Sequence, residues 1–135
     1  MNRKLIRVAL AIGGLLVTAT AARAHHSFAA VFDETKSVEV KGVMAEIKIE
    51  NPHSWFYVNV TDATGKVTKW GFEGNTPTSL IRAGYKRDSL KVGDRVTVKG
   101  VRARDVSAPM GAAREITLDG GPTFIVGPKG AADAQ

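Results

Sequence analysis

The three histidines of the chain are the residues whose types and spacing most directly suggest chemistry. His25 and His26 are adjacent and follow the A-x-A pattern of residues 22–24, which is typical of a signal-peptide cleavage site. His53 lies in "ENPHSW", between two predicted strands, where Pro52 stiffens the backbone. No histidine falls at a clear core position of a predicted strand, so all three are candidates for binding.

The position of His25 indicates a transition-metal ligand. Cleavage after Ala24 would free the α-amine of His25, and this amine and the imidazole Nδ1 of the same residue form a two-point chelator. His26 and His53 each add an imidazole. Such nitrogen ligands bind Cu(II) most strongly in the general affinity order, and the amine, with a reference pKa of about 8, must first lose its proton. The sequence therefore predicts copper, or another divalent transition metal, at His25, His26 and His53.

Three alternatives stay open for these histidines. Cleavage after Ala22 would make His25 the third residue, where it and two deprotonated backbone amides form a square-planar Cu(II) site. The ligand set also resembles the histidine brace of copper polysaccharide oxygenases, so a small copper-dependent oxidase is an alternative function; size and predicted fold differ, and only the ligand type is carried over. In the third interpretation the histidines bind no metal: His25 and His26 are solvated polar residues, and His53 only donates a hydrogen bond that fixes its turn.

The second predicted strand carries the other candidate site. Phe56 and Val58 alternate with Trp55 and Tyr57, so the two sets face opposite sides of the sheet. If the apolar set faces the core, Trp55 and Tyr57 form an outward platform for a glycan, a protein or a planar cofactor such as haem. The interpretation favoured from the sequence is that these rings pack within the protein, under the segment that follows the histidines.

Residues 1–24 have the parts of a secretory signal peptide. Arg3, Lys4 and Arg7 form the positive region, and the apolar run over residues 8–20 is shorter than the roughly 20 residues of a membrane-spanning helix. The chain has no cysteine, which excludes disulfides, thiolate metal sites and a lipid-attached N-terminus. We therefore expect a cleaved leader and a protein of the bacterial periplasm, or a secreted one.

Most of the net positive charge belongs to this leader. Without residues 1–24 the formal charge falls from +6 to +2, and the remaining basic and acidic residues are interleaved. Such a surface favours neither a nucleic-acid partner nor membrane insertion. The sequence also lacks a G-x-S-x-G elbow and a glycine-rich phosphate loop, so we predict no catalytic residue and favour a binding function over an enzyme.

The remaining residues suit one domain over 25–127, with a disordered tail at 128–135. The dominant period of two predicts strands, and "NTPTSLIRAG" predicts a short helix capped by Asn75 or Thr76. Gly42 is expected to mark a bulge that breaks the phase of a long first strand. The residues predicted to share the inward side of that strand are Val38, Val40, Val43, Ala45, Ile47 and Ile49.

The order of these elements predicts an all-β protein. Five strands, ending at "REITL", with one short helix between strands 3 and 4, match a small Greek-key barrel like the oligonucleotide/oligosaccharide-binding (OB) fold. A small sandwich with a capping helix is the alternative, because element order alone does not decide whether the sheet closes.

Several stretches together resemble a known family. "HHSFAAVFD", "NPHSWFYVNVTDATGKV", "LIRAGYKRDSLKVGDRVTVKGVRARD" and "ITLDGG" are similar to a family of small exported bacterial proteins, domain of unknown function 6152. The resemblance covers nearly the whole chain after the leader and implies an exported single domain without an established activity. The hypothesis from the residues is an exported copper-binding module; the alternatives are a metal-free interaction domain and a copper oxidase. The sequence leaves the partner and the oligomeric state open.

Overall fold

The computed structural model describes residues 28–128, of which residues 28–31 are helical and Phe32 begins the unit described below. The predicted signal peptide, His25, His26 and residues 129–135 of the predicted tail lie outside the described residues. In the part of the chain that is described, no helix has both the length and the apolar character needed to cross a membrane.

The unit that begins at Phe32 is mostly β, as predicted. Its strands are β1 (Phe32–Lys48), β2 (Trp55–Thr61), β3 (Val67–Glu73), β4 (Arg95–Ala103), β5 (Met110–Leu118) and β6 (Thr123–Ile125), and one short helix, α1 (Pro77–Arg82), lies between β3 and β4. The prediction of five strands is wrong by one, because β6 has three residues and is too short to show a period of two. It forms because Phe124 pairs with Ile116 and packs against the core.

The six strands form one sheet in the order β3-β2-β1-β4-β5-β6, and neighbours in this order are antiparallel. β3 pairs in addition with β5, in parallel, over residues 71–73 and 110–112. In the order β1, β2, β3, β5, β4, each strand therefore pairs with the next, and β4 pairs with β1, so that these pairings form a closed ring. β6 pairs with a later part of β5, residues 115–117.

A single apolar core lies on one face of the sheet. Phe56 and Val58 of β2 are completely buried in it, so the apolar set of this strand faces inward. Because successive side chains of a strand point to opposite faces, Trp55 and Tyr57 lie on the outward face. The buried residues of the core are Val40, Met44, Phe56, Val58, Phe72, Leu80, Tyr85, Leu90, Val96, Val98, Ala113, Ile116 and Val126.

The phase of β1 differs from the prediction at Gly42. Gly42 pairs with the buried Val96 and stands in the inward row, so the alternation continues through it and makes Met44 buried. Val43, predicted inward, is therefore exposed. The irregularity in the pairing with β2 lies two residues later, between Met44 and Glu46, so Ala45 is the extra residue.

Gly42 is needed for a different reason, which is a close approach between strands. A Cβ at this position would lie 2.2 Å from the backbone oxygen of Asn59 on β2. Beyond the bulge the alternation is restored, and Ile47 packs against the core as predicted. Ile49 lies after the end of β1 and is exposed, contrary to the prediction.

The hairpin between β2 and β3 is fixed by its turn. Oδ1 of Asp62 accepts hydrogen bonds from the backbone and hydroxyl groups of Thr64, at 2.8 and 2.6 Å, and from the backbone N–H of Lys66 at 3.0 Å. Gly65 has a φ of +86°, which a glycine adopts without strain in a tight connection. This turn sets the register that places Glu73 opposite Trp55.

Helix α1 begins and ends where its sequence signals predict. The side chain of Thr76 caps it by accepting a hydrogen bond from the backbone N–H of Ser79 at 3.2 Å, and Pro77 occupies the first turn. Gly84 follows the helix with a φ of +89°. Leu80 is the residue that α1 buries in the core.

Candidate functional site

The candidate site is centred on the two strand ends that carry His53 and Glu73. His53 precedes β2 by two residues, and Glu73 is the last residue of β3, directly opposite Trp55. Nδ1 of His53 lies 2.5 Å from Oε1 of Glu73, with 49% of the histidine side chain and 19% of the glutamate side chain exposed. The imidazole thus lies in ion-pair contact with a carboxylate that is mostly buried, while much of the ring faces solvent.

Burial and the neighbouring histidine both act on the pKa of Glu73. Partial burial raises the pKa of Glu73 from 4.5, and the attraction of His53 opposes that rise without cancelling it. Nδ1 faces Glu73, so Nε2 is the ring nitrogen left available to a ligand, and it has no partner within residues 28–128. A histidine whose other nitrogen donates to a carboxylate is the usual arrangement of a metal ligand.

Backbone hydrogen bonds hold both strand ends in place. The N–H of Ser54 donates to the carbonyl of Asn75 at 3.1 Å, and the N–H of Gly74 donates to the carbonyl of Ser54 at 2.8 Å. The peptide bond between Asn51 and Pro52, just before His53, is cis. Ser54 is fully buried, and its Oγ has no hydrogen-bond partner in the described part of the chain. The backbone beside the His53–Glu73 pair is therefore fixed on both strands.

Trp55 and Tyr57 form a half-buried aromatic face next to this pair. Their ring centroids are 6.1 Å apart, and the rings are stacked with an interplanar angle of 19°. Both rings lie close to Gly71 of β3, where a Cβ would be 3.2 Å from Cε1 of Tyr57 and 3.8 Å from Cζ3 of Trp55. The absence of a side chain at Gly71 allows the two rings to lie over the strand.

Positive charges flank the Tyr57 ring. The ammonium groups of Lys48 and Lys69 lie 5.4 and 4.8 Å from the ring centroid, within the range of cation–π attraction. Both also bind Glu46, with distances of 3.3 and 2.8 Å between Nζ and a carboxylate oxygen. The hydrogen bonds from Lys69 and then Lys48 lower the pKa of Glu46, so this carboxylate stays ionised.

The structure brings together part of the predicted site. His53 precedes β2, and Trp55 and Tyr57 lie outward at its start, with Lys69 beside Tyr57, whereas His25 and His26 lie outside the described residues. Among residues 28–128, no group of three His, Cys, Asp or Glu side chains could hold a metal ion. Met110 begins β5 and pairs with Gly71, so it belongs to the same stretch of the sheet.

Sequence reasoning missed Glu73 as the partner of His53. The two residues are 20 positions apart, and their contact depends on the β2–β3 register and on the path of the chain before β2. A signal was present, because counting outward from the Asp62–Gly65 turn places Glu73 opposite Trp55. Gly71 and Lys48 were missed for the same reason, because they reach the aromatic face of Trp55 and Tyr57 from neighbouring strands.

Fold and site together define the class of this protein: a mostly β unit with a histidine–carboxylate pair beside an aromatic face. The model of a family of unknown function (DUF6152) matches residues 12–112, so the chain belongs to this family. No curated protein and no solved structure matches the chain. The predicted family is thus confirmed, and it assigns no activity, so function is argued from the residues.

Proposed function

We propose that the protein is an exported binding module that holds one copper ion with His25, His26 and His53. The observation that carries this proposal is the close contact of His53 Nδ1 with the Glu73 carboxylate. It leaves Nε2 as the free ligand atom, and a carboxylate beside the other ring nitrogen orients a metal-bound histidine. Nearly half of the His53 side chain is exposed, so a metal ion can reach it.

The remaining ligands come from the start of the mature chain. Residues 28–128 offer no set of three suitable side chains, so His53 needs partners from outside them. Cleavage after Ala24, at the proposed signal-peptide site, gives His25 both an amine and an imidazole, and His26 adds another imidazole. An all-nitrogen set of this kind favours Cu(II). Export to the periplasm is part of the proposal, because it creates the N-terminus that binds.

We also propose that the sheet is an OB-like Greek-key barrel. The closed ring β1-β2-β3-β5-β4 and the position of α1 between β3 and β4 support this assignment. In such a barrel the loop between the first two strands edges the ligand face. His53 lies in that loop, between Lys48 and Trp55, which agrees with a binding role.

Competition titration tests the copper proposal. The exported, untagged protein is titrated with Cu(II) against a chelator of known affinity, in parallel with His25→Ala, His26→Ala and His53→Ala. We expect one high-affinity site in the wild type and at least a tenfold weaker site in His25→Ala and His53→Ala. Equal affinity in the wild type and His53→Ala would contradict the proposal. Circular dichroism of each variant separates lost binding from lost folding.

A metal-free ligand face is the second candidate function. The observation that favours it is the stacked Trp55–Tyr57 pair over Gly71, flanked by Lys48 and Lys69. Such a face suits a glycan, a protein or a planar anionic group such as haem. Binding that is lost in Trp55→Ala and unaffected by His53→Ala, without copper uptake, would favour this function. Production of hydrogen peroxide by the copper-loaded protein would instead favour the oxidase alternative.

A further inference from the structure

A separate apolar groove lies between the end of β1, helix α1 and residues 85–92. Its volume is about 660 Å³, which is within the usual range of small-molecule sites. The lining is predominantly apolar and includes Ile49, Leu80, Ile81, Tyr85, Leu90 and Val92. The groove shares no residue with the His53–Glu73 pair or with the aromatic face of β2.

Apolar side chains are unusually exposed at this groove. Ile81 is 70% exposed, Val92 is 66% exposed and Ile49 is 44% exposed, and all three line the same depression. Single exposed apolar residues are common on protein surfaces, whereas several that converge on a concave site mark a binding surface. The bottom of the groove is closed by Leu80 and Leu90, which are buried in the core.

The rim of the groove is positively charged. Lys86, Arg87 and Lys91 line it, and none of them forms an ion pair with another described residue. Two acidic residues lie near the rim without lining the groove: Asp88 forms no ion pair with a described residue, and Asp94 accepts a hydrogen bond from the backbone N–H of Lys91 at 2.7 Å. The rim therefore presents cations that are free to bind an anion.

A polar group without a partner completes the groove. Tyr85 is only 7% exposed and its ring packs edge-on against Phe56 and Phe124, at centroid distances of 6.1 and 6.0 Å. Its hydroxyl has no hydrogen-bond partner in the described range 28–128. Burial raises the pKa of Tyr85, so the hydroxyl keeps its proton and can donate to a ligand.

We propose that this groove binds a medium-chain fatty acid such as dodecanoate. The alkyl chain lies against Ile81, Val92 and the buried floor, and the carboxylate binds at the basic rim formed by Lys86, Arg87 and Lys91. A guanidinium matches a carboxylate with two parallel hydrogen bonds, and the charge of the rim complements the ligand. The volume suits one alkyl chain. This site is independent of the copper proposal.

The test is a titration of the untagged protein, expressed as the full chain, with dodecanoate below the concentration at which it forms micelles. ¹H–¹⁵N NMR reports which backbone resonances shift, and dodecyl maltoside serves as a neutral ligand with the same alkyl length. We expect saturable binding of one dodecanoate, with shifts at residues 80–92, and at least tenfold weaker binding of the maltoside.

Matched variants separate the rim from general charge effects. K86Q/K91Q should weaken dodecanoate binding at least tenfold, whereas K41Q/K66Q, which removes two exposed lysines elsewhere, should leave it within twofold. Ile81→Glu should abolish binding without unfolding the protein, because Ile81 is 70% exposed. Equal binding of the neutral ligand, or equal weakening in both lysine pairs, would overturn the proposal. So would groove resonances that shift with protein concentration alone, which would identify a second copy as the occupant.

Discussion

Glu73 is the residue that gives His53 a specific role. A histidine in a loop is usually solvated and free to rotate, but a mostly buried carboxylate on the neighbouring strand holds this ring in one orientation. The contact with Glu73 occupies Nδ1 and leaves Nε2 available to a ligand. The carboxylate is partly buried, and this burial raises the pKa of Glu73.

Replacing Glu73 tests this role at the residue scale. Glu73→Gln keeps the shape of the side chain but removes the charged acceptor, so His53 loses its orienting partner. We expect Cu(II) affinity to fall about 10- to 100-fold, as for other carboxylates that support a metal-bound histidine. Competition titration measures the change.

The matched control for Glu73 is Glu50→Gln. Glu50 is an exposed carboxylate three residues before His53, so this variant removes the same charge from the same region without touching the pair. Its copper affinity should equal that of the wild type. A similar loss of affinity in both variants would mean that Glu73 acts only through overall charge.

Turns and close strand contacts decide how the elements position the site. The Asp62 turn sets the β2–β3 register, and through it the pairing of Trp55 with Glu73. The extra residue at Ala45 shifts the alternation of β1 by one position after Met44 and places Glu46 opposite Tyr57. The site therefore depends on a turn and a bulge that lie outside it.

The contribution of Asp62 should depend on pH. Hydrogen bonds from Thr64 lower the pKa of Asp62 below 3.8 in the folded protein, so its stabilising effect is fully present above 3.8 and is lost as the pH falls through the lower, folded value. Asp62→Ala should therefore reduce the melting temperature at pH 7, and the difference from the wild type should shrink below pH 3.8.

Thermal unfolding followed by circular dichroism between pH 2 and 7 measures this effect. The control is Asp88→Ala, which removes an exposed carboxylate that has no hydrogen-bond partner among the described residues. Its melting temperature should stay close to that of the wild type throughout. A constant difference between Asp62→Ala and the wild type down to pH 2 would show that the carboxylate charge is not what stabilises the turn.

Gly42 tests the close contact between β1 and β2. In Gly42→Ala the new Cβ would lie 2.2 Å from the backbone oxygen of Asn59, so the strands must move apart. We expect a loss of about 1–3 kcal/mol in the free energy of unfolding, as for other overpacked positions. Urea denaturation measures it, with the exposed Val43→Ala as the control. Equal stability of Gly42→Ala and the wild type would contradict the role of the glycine.

Local signals made much of the fold predictable. The period of two, the Asp62–Gly65 turn, the Thr76 cap and Gly84 each act over a few residues, and the corresponding elements lie where the sequence predicts them. Gly42 was misinterpreted because a glycine gives no side chain from which to read the phase. The bulge falls instead at Ala45, which fits either face of a strand.

The candidate site was less predictable because it is built across strands. His53, Trp55 and Tyr57 are close in sequence and were found together, whereas Glu73 comes from the next strand and Lys48 from the preceding one. The apolar groove is formed by the end of β1, α1 and residues 85–92 together, and no local sequence pattern predicts it. Whether His25 and His26 join His53 stays a prediction, because both lie outside the described residues.

At the scale of the whole molecule, the pairing of β3 with β5 connects the first strand of the sheet order to the last but one. The N–H of Gly71 donates to the carbonyl of Pro109 at 3.0 Å, and Gly111 pairs with both Phe72 and Arg102. A Cβ at Gly111 would lie 2.7 Å from the carbonyl of Val101. A side chain at Gly111 is thus incompatible with the present approach of β5 to its neighbours.

Gly111→Ala should therefore loosen the pairing of β5 with both β4 and β3. We expect the free energy of unfolding to fall by about 1–3 kcal/mol and the Gly71 amide to exchange its hydrogen faster than amides of β1 that pair with β2. Chemical denaturation and hydrogen exchange by NMR measure both effects. Val106→Ala, at an exposed loop position, should change neither. Unchanged protection of Gly71 in the glycine variant would contradict a closing role for this pairing.

The most direct test of the central claim is native mass spectrometry of the protein exported to the periplasm and purified without a tag, before and after one equivalent of Cu(II). We predict a mature chain that starts at His25 and retains one copper ion against a competing chelator. A chain that starts elsewhere without binding copper, or one that starts at His25 and loses the metal to the chelator, would contradict it and leave the Trp55–Tyr57 face as the site to pursue.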